Sequence, residues 1–105
     1  MKILLCNERF LFRFGVDRLL MLLGHGLKDR GHRITVMANK LDHATVDGFA
    51  ERIVAVPEGG DSYLNLNEFT AQWLEANWST LFDEQSRPDV VVIGGWPFFC
   101  SHPGL

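Results

Sequence analysis

The residues best suited to binding a ligand lie around one glycine, Gly15, which precedes a long helical pattern. The first turn of a helix directs backbone N–H groups toward the positive end of the helix dipole, so those of Val16 and Asp17 could hold an anion. Arg9 and Arg13 lie in the same loop and could bind a phosphate or carboxylate. Asp17 could instead orient a hydroxyl group of the ligand. The structural alternatives are a tight turn at Gly15, an acid that stabilises its own helix, and solvated surface arginines.

A second candidate loop, Gly94-Gly95-Trp96, follows an apolar run near the end of the chain. The glycines allow close approach of the backbone, and the face of Trp96 could stack on a sugar ring. Packing in the core is the other interpretation of Trp96. The histidines and cysteines have no metal-ligand spacing, and no Ser-His-Asp or Cys-His arrangement is indicated. Gly15 lacks the further glycines of a dinucleotide fingerprint, so we expect no NAD and no other cofactor.

Length and composition predict one globular domain spanning residues 1–105. The net charge of −3 argues against nucleic-acid binding, which needs a basic surface. No apolar run is long enough to span a bilayer. The apolar start, residues 3–6, is cut short by Asn7-Glu8-Arg9 and lacks the features of a signal peptide, so a cytoplasmic location is expected.

The order of apolar patterns predicts an α/β fold. Short apolar runs, typical of strands buried on both faces, occur near residues 2–6, 33–37, 52–56 and 89–93. Helical periods cover residues 16–30 and about 66–85, and a loop with one helical turn is expected over 38–51. In the first helix we expect apolar residues on more than one side to be covered, including Leu19, Met21 and Leu22. Gly31 is expected to end that helix with a positive φ.

Strands alternating with helices predict a Rossmann-like three-layer sandwich with a mostly parallel sheet of four strands in the order 3-2-1-4. In that order, the carboxyl ends of strands one and four are neighbours. The loops containing Gly15 and Gly94 would then flank one crevice at the topological switch point, where open α/β sheets bind their ligands.

Three motifs and their order resemble the beginning of a retaining glycosyltransferase of the GT-B fold, family 4. They are the apolar start at residues 1–5, the segment Gly15-Val16-Asp17-Arg18 before the first helix with Arg30-Gly31-His32 after it, and Arg87-Pro88-Asp89 before the fourth strand. The resemblance weakens between residues 41 and 81. It implies that the chain is the N-terminal, acceptor-side part of such an enzyme, and that a second domain would hold the nucleotide-sugar.

The sequence departs from the family pattern at two positions. Phe14 replaces the first glycine of the family's glycine pair, and Gly94 lies where a histidine often follows the fourth strand. The resemblance implies a retaining hexosyltransferase only when the donor-binding domain is present, so this part is expected to be inactive alone, with a sugar or phospho-acceptor as its substrate. The alternative is a non-catalytic Rossmann-like module that binds an anionic ligand or a protein partner.

The apolar residues after the fourth strand also predict self-association. Trp96, Phe98 and Phe99 follow that strand without a further predicted element to bury them. An unpaired strand edge beside exposed aromatic side chains favours association. We expect a weak homodimer, or contact with a missing C-terminal domain; the alternative is that these side chains fold back onto their own core.

Overall fold

The computed structural model describes residues 1–7, 9–10, 15–57 and 63–94, with only the backbone described at 9, 16 and 63–67. The main sheet contains β1 (Lys2–Cys6), β3 (Arg33–Ala38), β5 (Ala50–Ala55) and β6 (Val90–Ile93). All three strand pairs are parallel and their order is β5-β3-β1-β6. The predicted order 3-2-1-4, with the first strand in the interior, is therefore confirmed.

Two helices cover opposite faces of this sheet and make the predicted three layers. Helix α1 (Gly15–Asp29) packs against Ile3 and Leu5 of β1, whereas α3 (Tyr63–Leu81) packs against Leu4 and Cys6. Side chains alternate between the two faces along a strand, so consecutive residues of β1 belong to two different cores. Leu4, Leu5 and Cys6 are fully buried, as the continuous apolar run predicts.

The end of α1 follows the sequence prediction closely. Gly31 has a φ of +90°, a conformation that favours glycine. Its N–H donates to the Lys28 carbonyl at 2.9 Å, and the His32 N–H donates to the Leu27 carbonyl at 3.1 Å. These two bonds form a Schellman motif, which ends the helix and turns the chain into β3.

The burial of the apolar side chains on α1 differs from the prediction. Met21 is half-buried against the core, but Leu19 and Leu22 are 66% and 72% exposed. The expectation that α1 is covered on several sides was wrong for these two leucines, because one layer of sheet and loop lies against only one side of a helix. Gly24 is buried in close contact with the ring of Phe49, which lies in the turn before β5.

Several smaller elements also depart from the sequence prediction. The loop after β1 contains a short strand, β2 (Arg9–Phe10), which pairs in parallel with β4 (Lys40–Leu41) and buries Phe10 completely. The predicted single turn is α2 (His43–Val46), capped by the Asp42 carboxylate. The third main strand begins two residues early, at Ala50, through an irregularity in its pairing with β3.

Helix α3 begins at Tyr63, before the predicted start near residue 66, and ends at Leu81, before the predicted end near residue 85. Among the helices of the described residues, none is long and apolar enough to cross a membrane.

Polar contacts hold the amino edge of the sheet. The backbone N–H of Lys2 donates to Asp89 at 2.8 Å, and the Arg33 guanidinium binds Glu51 at 2.5 and 2.8 Å. The hydrogen bond from Arg33, with its charge, holds the pKa of Glu51 below its ordinary value. Arg33 and Glu51 are both exposed, so solvent screens the ion pair.

Two glycines of α1 provide a matched test of the packing. A methyl group at Gly24 would collide with the buried ring of Phe49, whereas one at Gly26 meets no atom within 4 Å in the described part of the chain. We expect Gly24→Ala to lower the free energy of unfolding by about 1–3 kcal/mol through overpacking. We expect Gly26→Ala to raise it by up to about 1 kcal/mol, because alanine favours the helix. Urea denaturation of both variants measures the difference, and equal effects would contradict this packing.

The ion pair predicts a pH dependence. Since the pKa of Glu51 is lower in the folded protein than its ordinary 4.5, its stabilising effect is fully present above pH 4.5 and is lost as the pH falls through the folded value. The difference in thermal midpoint between the wild type and Glu51→Gln should therefore disappear in strong acid. Glu84→Gln, at another exposed position, is the control. If the thermal midpoints of the wild type and Glu51→Gln still differ at a pH below both the folded and the ordinary pKa of Glu51, the stabilising role of the ion pair is contradicted.

Candidate functional site

The carboxyl ends of β1 and of its neighbour β6 lie side by side in the sheet. Asn7 continues the ladder after β1, because its N–H donates to the Met37 carbonyl at 3.1 Å. Gly94 continues it after β6, because its N–H donates to the Cys6 carbonyl at 2.8 Å. Asn7 and Gly94 are therefore neighbours at the topological switch point, the place where open parallel sheets bind ligands.

A buried polar pair joins this strand end to α1. The amide nitrogen Nδ2 of Asn7 donates to Oδ1 of Asp17 at 3.1 Å. Asn7 is 5% exposed and Asp17 is 1% exposed. Burying a carboxylate is costly unless hydrogen bonds compensate, so the amide of Asn7 helps to keep Asp17 in this position. The pair ties the first turn of the helix to the end of the central strand.

Gly94 packs directly against this pair. A methyl group placed on Gly94 would lie 2.5 Å from Cδ1 of Leu20 and 3.3 Å from Oδ1 of Asn7. Leu20 is itself buried in the core of the α1 layer and has little room to move. A side chain at position 94 would therefore require the Leu20 side chain or the Asn7 amide to shift.

The predicted site residues are only partly brought together. Asp17 and Gly94 meet through Asn7, and Gly15 begins α1 at the same edge with an exposed backbone. The backbones of Arg9 and Val16 lie in β2 and in the first turn of α1. Arg13, Gly95 and Trp96 lie outside the described residues, and their roles in binding stay predictions. Since Asp17 is buried, its observed contact is structural, and its contact with an acceptor hydroxyl also stays a prediction.

A second buried amide, Asn39, was not anticipated from the sequence. It follows β3, is 8% exposed, and its Nδ2 donates to Oγ1 of Thr70 on α3 at 3.2 Å. Its carbonyl oxygen Oδ1 is buried and has no hydrogen-bond partner in the part of the chain that the structure describes. Asn39 thus ties the end of β3 to α3, as Asn7 ties the end of β1 to α1.

Strand alternation explains why the two amides turn to different helices. Leu5 faces α1 and Cys6 faces α3, so Asn7 faces α1 again. In the neighbouring strand Met37 faces α3 and Ala38 faces α1, so Asn39 faces α3. The signal available in the sequence was the first polar residue after each buried strand, because at this position a side chain still lies inside the fold.

Cys6 lies at the same end of β1, on the α3 face. Burial raises the pKa of its thiol to about 12, so it is neutral near pH 7. A buried neutral thiol is a poor nucleophile and a poor metal ligand. Cys6 therefore belongs to the core, as the sequence suggested, and not to the chemistry of the site.

An open groove of about 520 Å³ lies at the opposite, amino edge of the sheet. Most of the charged groups on its walls already have partners within the protein. Arg33 binds Glu51, Nη1 of Arg52 donates to the Leu81 carbonyl at 2.6 Å, and Asp83 accepts bonds from the Ser86 and Gln85 N–H groups. Because most of these charges are satisfied within the protein, the groove offers little to attract a ligand.

The carboxyl edge offers hydrogen-bonding groups of three kinds. It has the helix start at Gly15, the buried Asn7–Asp17 pair, and the buried amide of Asn39. In the described residues no three His, Cys, Asp or Glu side chains are grouped as metal ligands would be. These groups suit the binding and orientation of a polar or anionic ligand.

The Asn7–Asp17 pair predicts a graded effect on stability. Asp17→Ala removes an acceptor from a buried amide and should lower the free energy of unfolding by about 1–3 kcal/mol. Asp17→Asn keeps one acceptor oxygen and should cost less. Asp29→Ala, at an exposed acid of the same helix, should stay within about 0.5 kcal/mol. Urea denaturation tests the order, and an Asp17→Ala variant as stable as the wild type would contradict the role of the pair.

Comparison with known proteins leaves the family of this chain open. No protein-family model, no curated protein and no solved structure matches it. The resemblance to family 4 glycosyltransferases therefore depends on the sequence motifs alone.

Proposed function

We propose that this chain is the N-terminal, acceptor-side part of a nucleotide-sugar-dependent glycosyltransferase of the GT-B type, inactive without a donor-binding domain. The observation that carries the proposal is the buried link between Asp17 and Asn7 beneath Gly94. This link holds the Gly15-Val16-Asp17 segment, which carries the family resemblance, at the switch point of a Rossmann-like sheet.

The geometry suits recognition of an acceptor at the start of α1. Gly15 is exposed, and a methyl group built on it meets no atom within 4 Å in the described part of the chain. The N–H groups of the first turn would bind an anionic or hydroxyl oxygen there, with help from the helix dipole. Asp17, buried beneath, would position this turn, and the side chains of Arg9 and Arg13 would add positive charge.

The isolated chain is expected to transfer no sugar, because the acceptor and the nucleotide-sugar bind to different domains in such enzymes. The resemblance assigns the nucleotide-sugar to a second domain, whose paired glutamates have no counterpart in this sequence. The complete reading frame is expected to encode roughly 200 or more further residues with a second α/β pattern, since a domain contains on the order of 100–200 residues. The sugar donor would bind between the two domains.

The alternative proposal is a non-catalytic module that binds an anionic ligand or a protein partner. The observation that favours a protein partner is the exposure of three leucines on α1, Leu19, Leu22 and Leu23. A complete reading frame that ends at Leu105 would favour this alternative over the transferase.

Nucleotide-sugar binding tests the assignment to the acceptor side. Calorimetric titration of this chain with a panel of UDP- and GDP-sugars should give no measurable heat of binding, whereas the complete reading frame should bind one of them and transfer its sugar. Micromolar binding by this chain alone would overturn the acceptor-side assignment.

A matched pair of variants tests the helix start as the acceptor site. Val16→Pro removes one N–H in the first turn of α1, where the N–H groups have no partner within the helix, whereas Gly15→Ala keeps every N–H and adds a methyl group in open space. In NMR titrations with inorganic phosphate and a sugar phosphate, Val16→Pro should weaken binding by about tenfold, the loss of one charge-assisted hydrogen bond. Gly15→Ala should change it little. Equal affinities in all three proteins would remove α1 from the site.

A further inference from the structure

The turn between α2 and β5 contains the dipeptide Asp47-Gly48. It lies at the amino edge of the sheet, where β5 begins its pairing with β3. The N–H of Phe49 donates to the Val46 carbonyl at 3.1 Å and closes the turn, in which Asp47 and Gly48 are both exposed. An aspartate followed by a glycine is a place where a side-chain carboxyl group can react with its own backbone.

The reaction is an internal cyclisation that needs no second reactant. The backbone nitrogen of Gly48 attacks Cγ of Asp47, and the hydroxyl of the carboxylic acid leaves as water together with the amide hydrogen, which gives a cyclic succinimide. Water then adds to either ring carbonyl. Opening at Cγ restores aspartate, whereas opening at the α-carbonyl leaves the chain joined through Cγ and produces isoaspartate with a free α-carboxylate. The water lost in the first step is regained, so the reaction is an isomerisation without oxidation or reduction.

The peptide bond between Asp47 and Gly48 can turn into the reactive geometry without loss of a hydrogen bond. Asp47 has φ −54° and ψ −32°, so the Gly48 nitrogen lies to one side of Cβ and must rotate toward it before the ring closes. Among the described residues, neither the Asp47 carbonyl nor the Gly48 N–H has a hydrogen-bond partner. Rotation about ψ of Asp47 with an opposite rotation about φ of Gly48 leaves the flanking residues in place, and glycine tolerates the change in φ.

The other aspartates in the described part of the chain lack this combination. Their carboxylates are buried or accept hydrogen bonds at Asp17, Asp42, Asp83 and Asp89. Asp29 is exposed, but the N–H that follows it, that of Arg30, donates to the Leu27 carbonyl at 3.2 Å. At Asp47 no described group hydrogen-bonds to the carboxylate, and the next residue has no side chain to shield its nitrogen.

We propose that Asp47-Gly48 is a site of spontaneous isomerisation to isoaspartate in the folded protein. The product carries the α-carboxylate of Asp47 on an exposed turn, and this is the group that methyltransferases specific for isoaspartate modify with S-adenosylmethionine. The site does not depend on the proposed function, since the acceptor would bind at the opposite, carboxyl edge of the sheet.

Isomerisation at this turn also affects the core. The isoaspartyl linkage adds one methylene to the backbone between Val46 and Phe49, whose side chains are both buried in the α1 layer. The Phe49 ring lies in close contact with Gly24, so a longer turn displaces a tightly packed group. The isomerised protein, separated by reversed-phase chromatography and refolded, should therefore unfold at a lower urea concentration than the unmodified protein. An equal midpoint would contradict this coupling of the turn to the core.

Incubation of the full chain at physiological temperature and pH tests the proposal. Isoaspartyl methyltransferase with labelled S-adenosylmethionine should mark the peptide that contains residues 47 and 48, and the label should increase with incubation time. Asp47→Glu should lose this label, because glutamate would have to close a larger ring. Asp47→Asn should gain it faster, because a neutral amide is a better electrophile than a carboxylate. Asp29→Glu, at an exposed acid of α1, is the matched control and should leave the label unchanged.

Gly26→Ala separates a reaction of the folded protein from one that requires unfolding. The variant favours the helix and lowers the unfolded population, so it would slow a reaction of the unfolded chain by up to about fivefold. The rotation at Asp47 and Gly48 is local, so the labelling rate should equal that of the wild type. A rate that falls with the unfolded population would overturn the proposal. So would label confined to peptides that lack Asp47, or label that persists in Asp47→Glu.

Discussion

The burial of β1 on both faces and its pairing on both edges is the constraint on which the rest of the structure depends. Leu4, Leu5 and Cys6 have no exposed surface, and the strand hydrogen-bonds to β3 on one side and to β6 on the other. Each fully buried leucine contributes roughly 1.5–3 kcal/mol of hydrophobic stabilisation. Both helices must lie against this strand, because its alternating side chains supply a core to each of them.

The same alternation of side chains determines which polar groups lie at the carboxyl edge and which helix they contact. One residue beyond the apolar run, the side chain of Asn7 is still inside the fold and faces α1, so it can only be satisfied by a buried polar partner. Asp17 supplies that partner from the first turn of the helix. A polar contact therefore fixes where α1 starts, and the hydrophobic contacts of Leu20 and Leu27 fix how the rest of the helix lies on the sheet. The proposed acceptor site depends on both, since it consists of the helix start.

Asn39 connects α3 to the sheet in the same way as Asn7 connects α1. Its amide reaches Thr70, so α3 is tied to the strand end by a hydrogen bond as well as by Leu74 and Val54 in the core. Buried polar contacts contribute little net stability but are costly when broken, which makes them effective in specifying one arrangement of helix on sheet. The amino edge uses the exposed ion pair of Arg33 and Glu51, where the requirement for a single geometry is weaker.

Much of the architecture is local and could be predicted from residue patterns. The four strands, the first helix and its Gly31 terminus follow from apolar runs, helical periods and one glycine, because these features depend on neighbours within a few residues. The order of the strands is one of the few that the rules of parallel crossovers allow. The contacts of Asn7 with Asp17, of Asn39 with Thr70 and of Gly24 with Phe49 could not be predicted, because each joins segments whose register and distance are set only by packing. The period of α1 likewise shows leucines on two of its sides, but only the folded chain decides that Leu20 is buried and Leu22 exposed, since the sheet can cover one side of a helix and not the other.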